Sequence, residues 1–146
     1  MATGEIIGNP YNKDGWKYAW VCTNGVWDNT KHETGAEIPE GEGIVVAKIY
    51  ETGRKITPPD LNFEGTTYTY TEGNEYVMVI EGEGEMGALI ETDNEGNEMY
   101  NAWEQETVLF LIGESETIII PYIYEAIICE GVTSIGTGAF YLRRNA

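Results

Sequence analysis

The stretch Ile127-Ile128-Cys129-Glu130-Gly131-Val132-Thr133-Ser134-Ile135-Gly136-Thr137-Gly138-Ala139-Phe140 constrains the fold most, because it reads as one turn of a coiled repeat with no second turn after it. Ile127 and Ile128 open a short strand, Gly131 lets the backbone turn, and Val132, Ile135, Ala139 and Phe140 recur at spacings that direct them into one narrow core. In repeat architectures each unit is stable only where a neighbour covers its apolar face. Leu142-Arg143-Arg144-Asn145 and Ala146 follow, with no neighbouring unit. The reading therefore predicts an open solenoid end at Val132, Ile135, Phe140, Arg143 and Arg144 that something else must cover.

These residues resemble the units of BspA-type bacterial leucine-rich repeat proteins, which commonly run as an isoleucine-rich strand, then Gly-Val-Thr-Ser-Ile-Gly, then Ala-Phe. The resemblance extends upstream. In that family a cap often precedes the first repeat: a strand leading to a Gly-x-Gly-x-Met turn, a variable polar loop and a tryptophan. Tyr76-Val77-Met78-Val79-Ile80-Glu81-Gly82-Glu83-Gly84-Glu85-Met86-Gly87, the loop to Asn101, and Ala102-Trp103 look similar, so the likeness covers residues 66–141. Two departures stand out. The usual proline before the tryptophan is Ala102, and the further repeats that would build a concave binding surface are missing. The resemblance implies a β-rich cap followed by a single repeat-like turn, in a family whose members are usually surface proteins.

Charge separates the chain into unequal parts. From Ile56 to Leu142 there is no lysine or arginine, while the same span holds seventeen acids; the whole chain carries a formal charge of -17. Such a field repels nucleic acid, itself a dense polyanion, and argues against direct nucleic-acid binding. It favours a basic partner, cations or solubility. With 42% hydrophobic residues the chain has the means to bury a core, so a folded protein is expected despite the acidity.

At 146 residues the length suits one domain or two small ones. The sequence has no run of eighteen apolar residues, so no membrane span is expected. Met1-Ala2-Thr3-Gly4-Glu5 lacks the basic and apolar regions of a secretory signal. For a chain resembling surface proteins, that points to release by lysis, as for a phage virion protein, to the host cytoplasm, or to a chain trimmed of its signal. Cys22 and Cys129 read as two buried thiols.

The pattern along the chain predicts an all-β fold, mainly antiparallel, with little helix. Trp16 to Thr23, Asn24-Gly25 and Val26-Trp27 form a strong hairpin signal, since Asn-Gly supplies the positive φ angles of a tight turn. Ile44 to Tyr50 reads as an apolar strand that Glu51-Thr52-Gly53 turns toward Lys55-Ile56. Thr57-Pro58-Pro59-Asp60 interrupts pairing, because proline removes a ladder donor. The domain boundary falls there, giving a small β domain at 1–60 and an acidic cap-like domain at 61–146. Beyond it, Thr66–Thr71 and Glu75–Ile80 flank Glu72-Gly73-Asn74 as a second hairpin, with Tyr68 and Tyr70 alternating with threonines on one aromatic face. Val108–Ile112, Ile118–Tyr124 and Ile127-Ile128 are further strands, and Pro121 implies an edge, a bulge or a break. Helix is expected only as a short piece, at Asn97–Gln105 or in the turn carrying Ala139-Phe140.

Several residue groups could carry function. Glu81, Glu83 and Glu85 alternate with glycines, so an extended backbone would line three carboxylates at about 6.7 Å spacing, where neighbours repel by only about 0.6 kcal/mol in water. The alternatives are a partner-binding acidic face, joined by Glu91, Asp93 and Glu95, or a solvated turn required by the fold. Glu91-Thr92-Asp93-Asn94-Glu95-Gly96 mimics the start of a calcium loop, but position twelve is Ala102, so it fails as an EF-hand and no metal site is expected. His32 is the lone histidine; a triad with Asp28 and Cys22 or Thr30 can be drawn, yet no nucleophile elbow accompanies it, and no enzyme or cofactor is expected. Tyr18, Trp20 and Trp27 are an aromatic contact surface for a glycan or a protein, or else the core of a small β domain.

These observations lead to a non-enzymatic structural or adhesion module, virion-associated or surface-associated, that docks by protein–protein assembly or self-association as an oligomer. Two other readings compete. One is an acidic, phage-encoded mimic of nucleic acid that occupies a basic nucleic-acid-binding defence protein. The other is a carbohydrate-binding module using the N-terminal aromatics.

Overall fold

The structure, a computed structural model, describes residues 15–105 and 120–135. Strand dominates: β1 (Tyr18–Thr23), β2 (Val26–Trp27), β3 (His32–Glu33), β4 (Ile44–Ile56), β5 (Leu61–Phe63), β6 (Thr66–Tyr68), β7 (Gly73–Gly82), β8 (Gly84–Glu85), β9 (Ile90–Thr92), β10 (Glu98–Tyr100), β11 (Ile123–Ile128) and β12 (Val132–Ser134). Helix among the described residues is one turn at 102–105 and a 3₁₀ turn at Ile120–Tyr122. The chain is all-β and mainly antiparallel, in agreement with the pattern read from the sequence.

The central sheet has the order β11-β7-β4-β1-β2, with β3 also paired to β1. The first hairpin forms as expected: Cys22 pairs with Trp27 and Thr23 with Val26, around Asn24 at φ 50° and Gly25 at φ 79°. The three central strands are apolar on both faces. Trp20, Cys22, Val45, Ala47, Ile49, Met78 and Ile80 point to one side, where Trp27, Met86, Leu89, Trp103, Ile120 and Ile123 cover them. Trp103 seals this core by meeting Trp20 edge-on at 6.1 Å and Trp27 at 5.2 Å between ring centroids. Burying one such indole stabilises by on the order of 4–6 kcal/mol at about 25 cal/mol per Å². The opposite face gathers Ala19, Val21, Val46, Tyr50, Val77, Val79 and Cys129, with Trp16, Ile38 and Ile127 packed against them.

Three expectations about connectivity are corrected. Glu51-Thr52-Gly53 does not turn the chain; β4 runs on to Ile56 and absorbs the extra residues in a bulge, its register against β7 shifting between Glu51 and Lys55. A buried carboxylate explains the bulge: Glu75 accepts from Thr52 Oγ1 at 2.8 Å and from Arg54 Nε at 2.9 Å, which requires both side chains to face it. The hairpin expected across Glu72-Gly73-Asn74 is absent, because β6 pairs with β5 and β7 pairs with β4. The turn between β5 and β6 is Glu64-Gly65, at φ 50° and 80°. Finally, Thr57–Asp60 does interrupt strand pairing, but it does not divide the chain into 1–60 and 61–146 as separate cores, since β4 and β7 lie side by side in one sheet.

One shorter correction and one agreement follow. Of Asn97–Gln105, only 102–105 is helical, and Glu98–Tyr100 instead pairs with β9. Pro121 produces a break: Ile120–Tyr122 is a 3₁₀ turn and the strand starts at Ile123. The strand expected at 108–112, Ile118-Ile119, the turn at Ala139-Phe140, and Phe140, Arg143 and Arg144 of the open end lie outside the described residues.

The repeat-like stretch has a definite place. β11 runs parallel to β7, with Ile127 opposite Val79 and Ile128 opposite Ile80. The chain then turns at Glu130-Gly131 and β12 runs parallel to β8, Val132 opposite Gly84 and Ser134 opposite Glu85. Two strand–turn–strand paths therefore stack coil on coil. The contact at the turn is close: a Cβ on Gly131, at φ +103°, would lie 2.3 Å from the carbonyl oxygen of Gly82. No side chain fits there.

Candidate functional site

A lysine on the central strand defines the site. On the face that carries Val46, Tyr50, Val77 and Val79, strand alternation also places Lys48 of β4 and Glu81 of β7. Lys48 Nζ lies 2.5 Å from Glu81 Oε1, and the two side chains are 6% and 25% exposed. Withdrawing an ammonium this far from water costs several kcal/mol unless a carboxylate meets it, so the pair forms because neither partner could be there alone. The thiol of Cys129 sits beside them; burial, reinforced by the Glu81 carboxylate and opposed by the Lys48 ammonium, pushes it up to about 11.

The segment 34–43 closes over this part of the sheet. Thr34 Oγ1 donates to the Trp16 carbonyl at 2.7 Å, and Gly43 N donates to the Glu83 carbonyl at 2.6 Å, so the segment is tied down at both ends. Between the ties a cavity of about 630 Å³ remains, walled by Ile38, Pro39, Ile44 and Val46, with Lys48 and Glu81 on its floor and Glu40 and Glu83 among its lining. That volume is within the range of ligand sites, and apolar walls with a few converging polar groups are their usual make-up.

The residues singled out from the sequence are distributed as follows. Glu81, Glu83 and Glu85 do not form a row of equal carboxylates: Gly82 at φ +139° and Gly84 at φ +156° break the simple alternation, and Glu81 is half-buried in the ion pair while Glu83 and Glu85 are exposed. Glu91, Asp93 and Glu95 lie elsewhere, on the β9–β10 hairpin. There Glu91 Oε2 accepts from Asn101 Nδ2 at 3.0 Å. Asp93 Oδ1 accepts from the amides of Glu95 and Asn97, each at 2.9 Å, which holds its carboxyl below the ordinary value. That is the hydrogen bonding of a tight polar turn. Among the described residues no group of three or more His, Cys, Asp or Glu is placed to hold a metal ion.

Trp20 and Trp27 are 1% and 6% exposed, so they belong to the core and offer no contact surface. The Trp27 Nε1–H donates to the Gly87 carbonyl at 2.8 Å, which satisfies its one polar atom internally. Tyr18 is half-buried with the Lys31 ammonium 4.7 Å from its ring centroid. His32 sits on β3 opposite Ala19, Asp28 accepts from the Thr30 amide at 2.9 Å, and Cys22 is buried in the core. At the repeat-like end, Val132 is half-buried against the core and Ile135 is 60% exposed.

Sequence reasoning did not single out Lys48. The signal was present: a lysine inside the apolar run Ile44-Val45-Val46-Ala47-Lys48-Ile49-Tyr50 has no solvent-facing side if both faces of the strand are covered.

Fold and site together define an all-β chain with a stacked parallel coil at one edge and a charged cavity on one sheet face. No family model, no curated protein and no solved structure matches the chain. No helix among the described residues is long and apolar enough to cross a membrane.

Proposed function

We propose that the protein is a non-enzymatic docking module, structural or adhesive in role and virion-associated or surface-associated, that works through protein–protein assembly. The observation that carries this reading is the stacked edge. β11 and β12 lie on β7 and β8 as a second coil, and among the described residues they pair with nothing further. Parallel strands are ordinarily buried on both sides, and a coil is stabilised by the coil that follows it. Tyr124 on β11 and Ile135 after β12 are 54% and 60% exposed, which gives an incoming strand–turn–strand unit apolar surface beside the backbone edge. The likeness to repeat proteins supports the same geometry.

Light scattering at low and high salt tests this, with Tyr124→Lys and Ile135→Lys as variants. The expected result is a defined oligomer, or a complex with a partner from the same particle, that both variants weaken while the strand signal in circular dichroism is kept. A monomer at all concentrations with no partner in any particle would overturn it.

A further inference from the structure

The cavity over Lys48 and Glu81 has a composition that selects its occupant. Its lining holds three carboxylates, Glu40, Glu81 and Glu83, against the single ammonium of Lys48. Lys48 is already paired with Glu81 and only 6% exposed, so an anion entering the cavity meets no uncompensated ammonium. An acidic or neutral polar ligand would therefore enter against the net field, whereas a cation enters with it. The walls select further. Ile38, Ile44 and Val46 offer hydrocarbon below the acidic rim, so the fitting group has an apolar stem and a positive head.

We propose that this cavity receives the side chain of an arginine or lysine from a basic partner protein, its stem against Ile38, Ile44 and Val46 and its head against Glu83. The inference rests on the docking reading and names the partner's chemistry. It also fits the chain's charge of -17, which draws a basic partner in and rejects a nucleic acid. Glu83 links the two surfaces. Its carbonyl holds the segment over the cavity through Gly43 N, and the next residue, Gly84, opens the strand on which β12 stacks.

The test uses the whole chain and butylguanidinium as probe, followed by amide chemical shifts. The expected result is saturable shifts at Gly41, Gly82 and Glu83, with binding weakened severalfold in Glu83→Gln. Guanidinium without the stem should bind about tenfold more weakly or worse, at roughly 0.8 kcal/mol per buried methylene. Shifts confined to the β9–β10 hairpin, no saturation, or equal binding of hexanoate would overturn the proposal. If the cavity takes no cation while Tyr124→Lys and Ile135→Lys still abolish assembly, the cavity inference falls and the docking reading stands; if the chain has no protein partner, both fall, even where the probe binds.

Discussion

Lys48 and Glu81, thirty-three residues apart in sequence, meet at 2.5 Å on a sheet face that is otherwise largely apolar. Breaking such a pair leaves one charge uncompensated, while replacing both members with apolar residues of similar size is often neutral or stabilising. Lys48→Met is therefore expected to cost about 2–3 kcal/mol, below the 3–5 of a fully enclosed pair because Glu81 keeps some solvent contact. The double variant with Glu81→Leu should recover most of that loss. Urea unfolding of the two single variants and the double variant measures the coupling.

Gly131 is the closest point between the stacked coils. Gly131→Ala meets both an unfavourable φ of +103° and the Gly82 carbonyl at 2.3 Å, so it should destabilise by about 3 kcal/mol or more. Gly96→Ala is the comparison. Its φ is +85° with nothing within 4 Å, so conformational strain alone is expected, about 1 kcal/mol. Equal costs for the two would show that the coils are not in contact.

The thiol of Cys129 is held up to about 11 from an ordinary value of 9.0. Its folded state keeps the proton that the unfolded chain releases, so stability is full below pH 9.0 and falls as the pH rises toward about 11. Burial pushes the phenols of Tyr70 and Tyr76 the same way, adding to the alkaline loss. Unfolding midpoints across roughly pH 8 to 11, the window in which these groups titrate, should decline less steeply in Cys129→Ala. At pH 8 the native thiol should react with iodoacetamide about tenfold more slowly than an unfolded control, or slower still.

Ala102 holds a backbone conformation closed to proline. Its φ is +52°, which a pyrrolidine ring cannot adopt, and its amide donates to Asn29 Oδ1 at 2.7 Å. Ala102→Pro should therefore cost about 3 kcal/mol and displace Trp103 from between Trp20 and Trp27. A red shift of tryptophan emission in the folded variant is the readout, since all four native indoles are buried.

Signals carried by adjacent residues were legible in the sequence. Asn24-Gly25 closes its hairpin because two residues with positive φ are enough to reverse a chain. Gly131 turns where the repeat-like motif requires it, and Pro121 breaks its strand. The β4–β7 pairing was not legible. Glu72-Gly73-Asn74 looks like a tight turn, but β7 finds a longer partner in β4, and the bulge that accommodates them depends on a buried Glu75 whose partners lie more than twenty residues away.

The sequence by itself determined the all-β class, the excess of acid and the local turns, because each rests on composition or on a few consecutive φ preferences. Only the tertiary structure decided which strands adjoin, that the tryptophans Trp20 and Trp27 face inward, and that Lys48 is buried, paired and set beneath a cavity. Those outcomes depend on burial, and burial is a property of what covers a residue, which no neighbouring residue in the chain can specify.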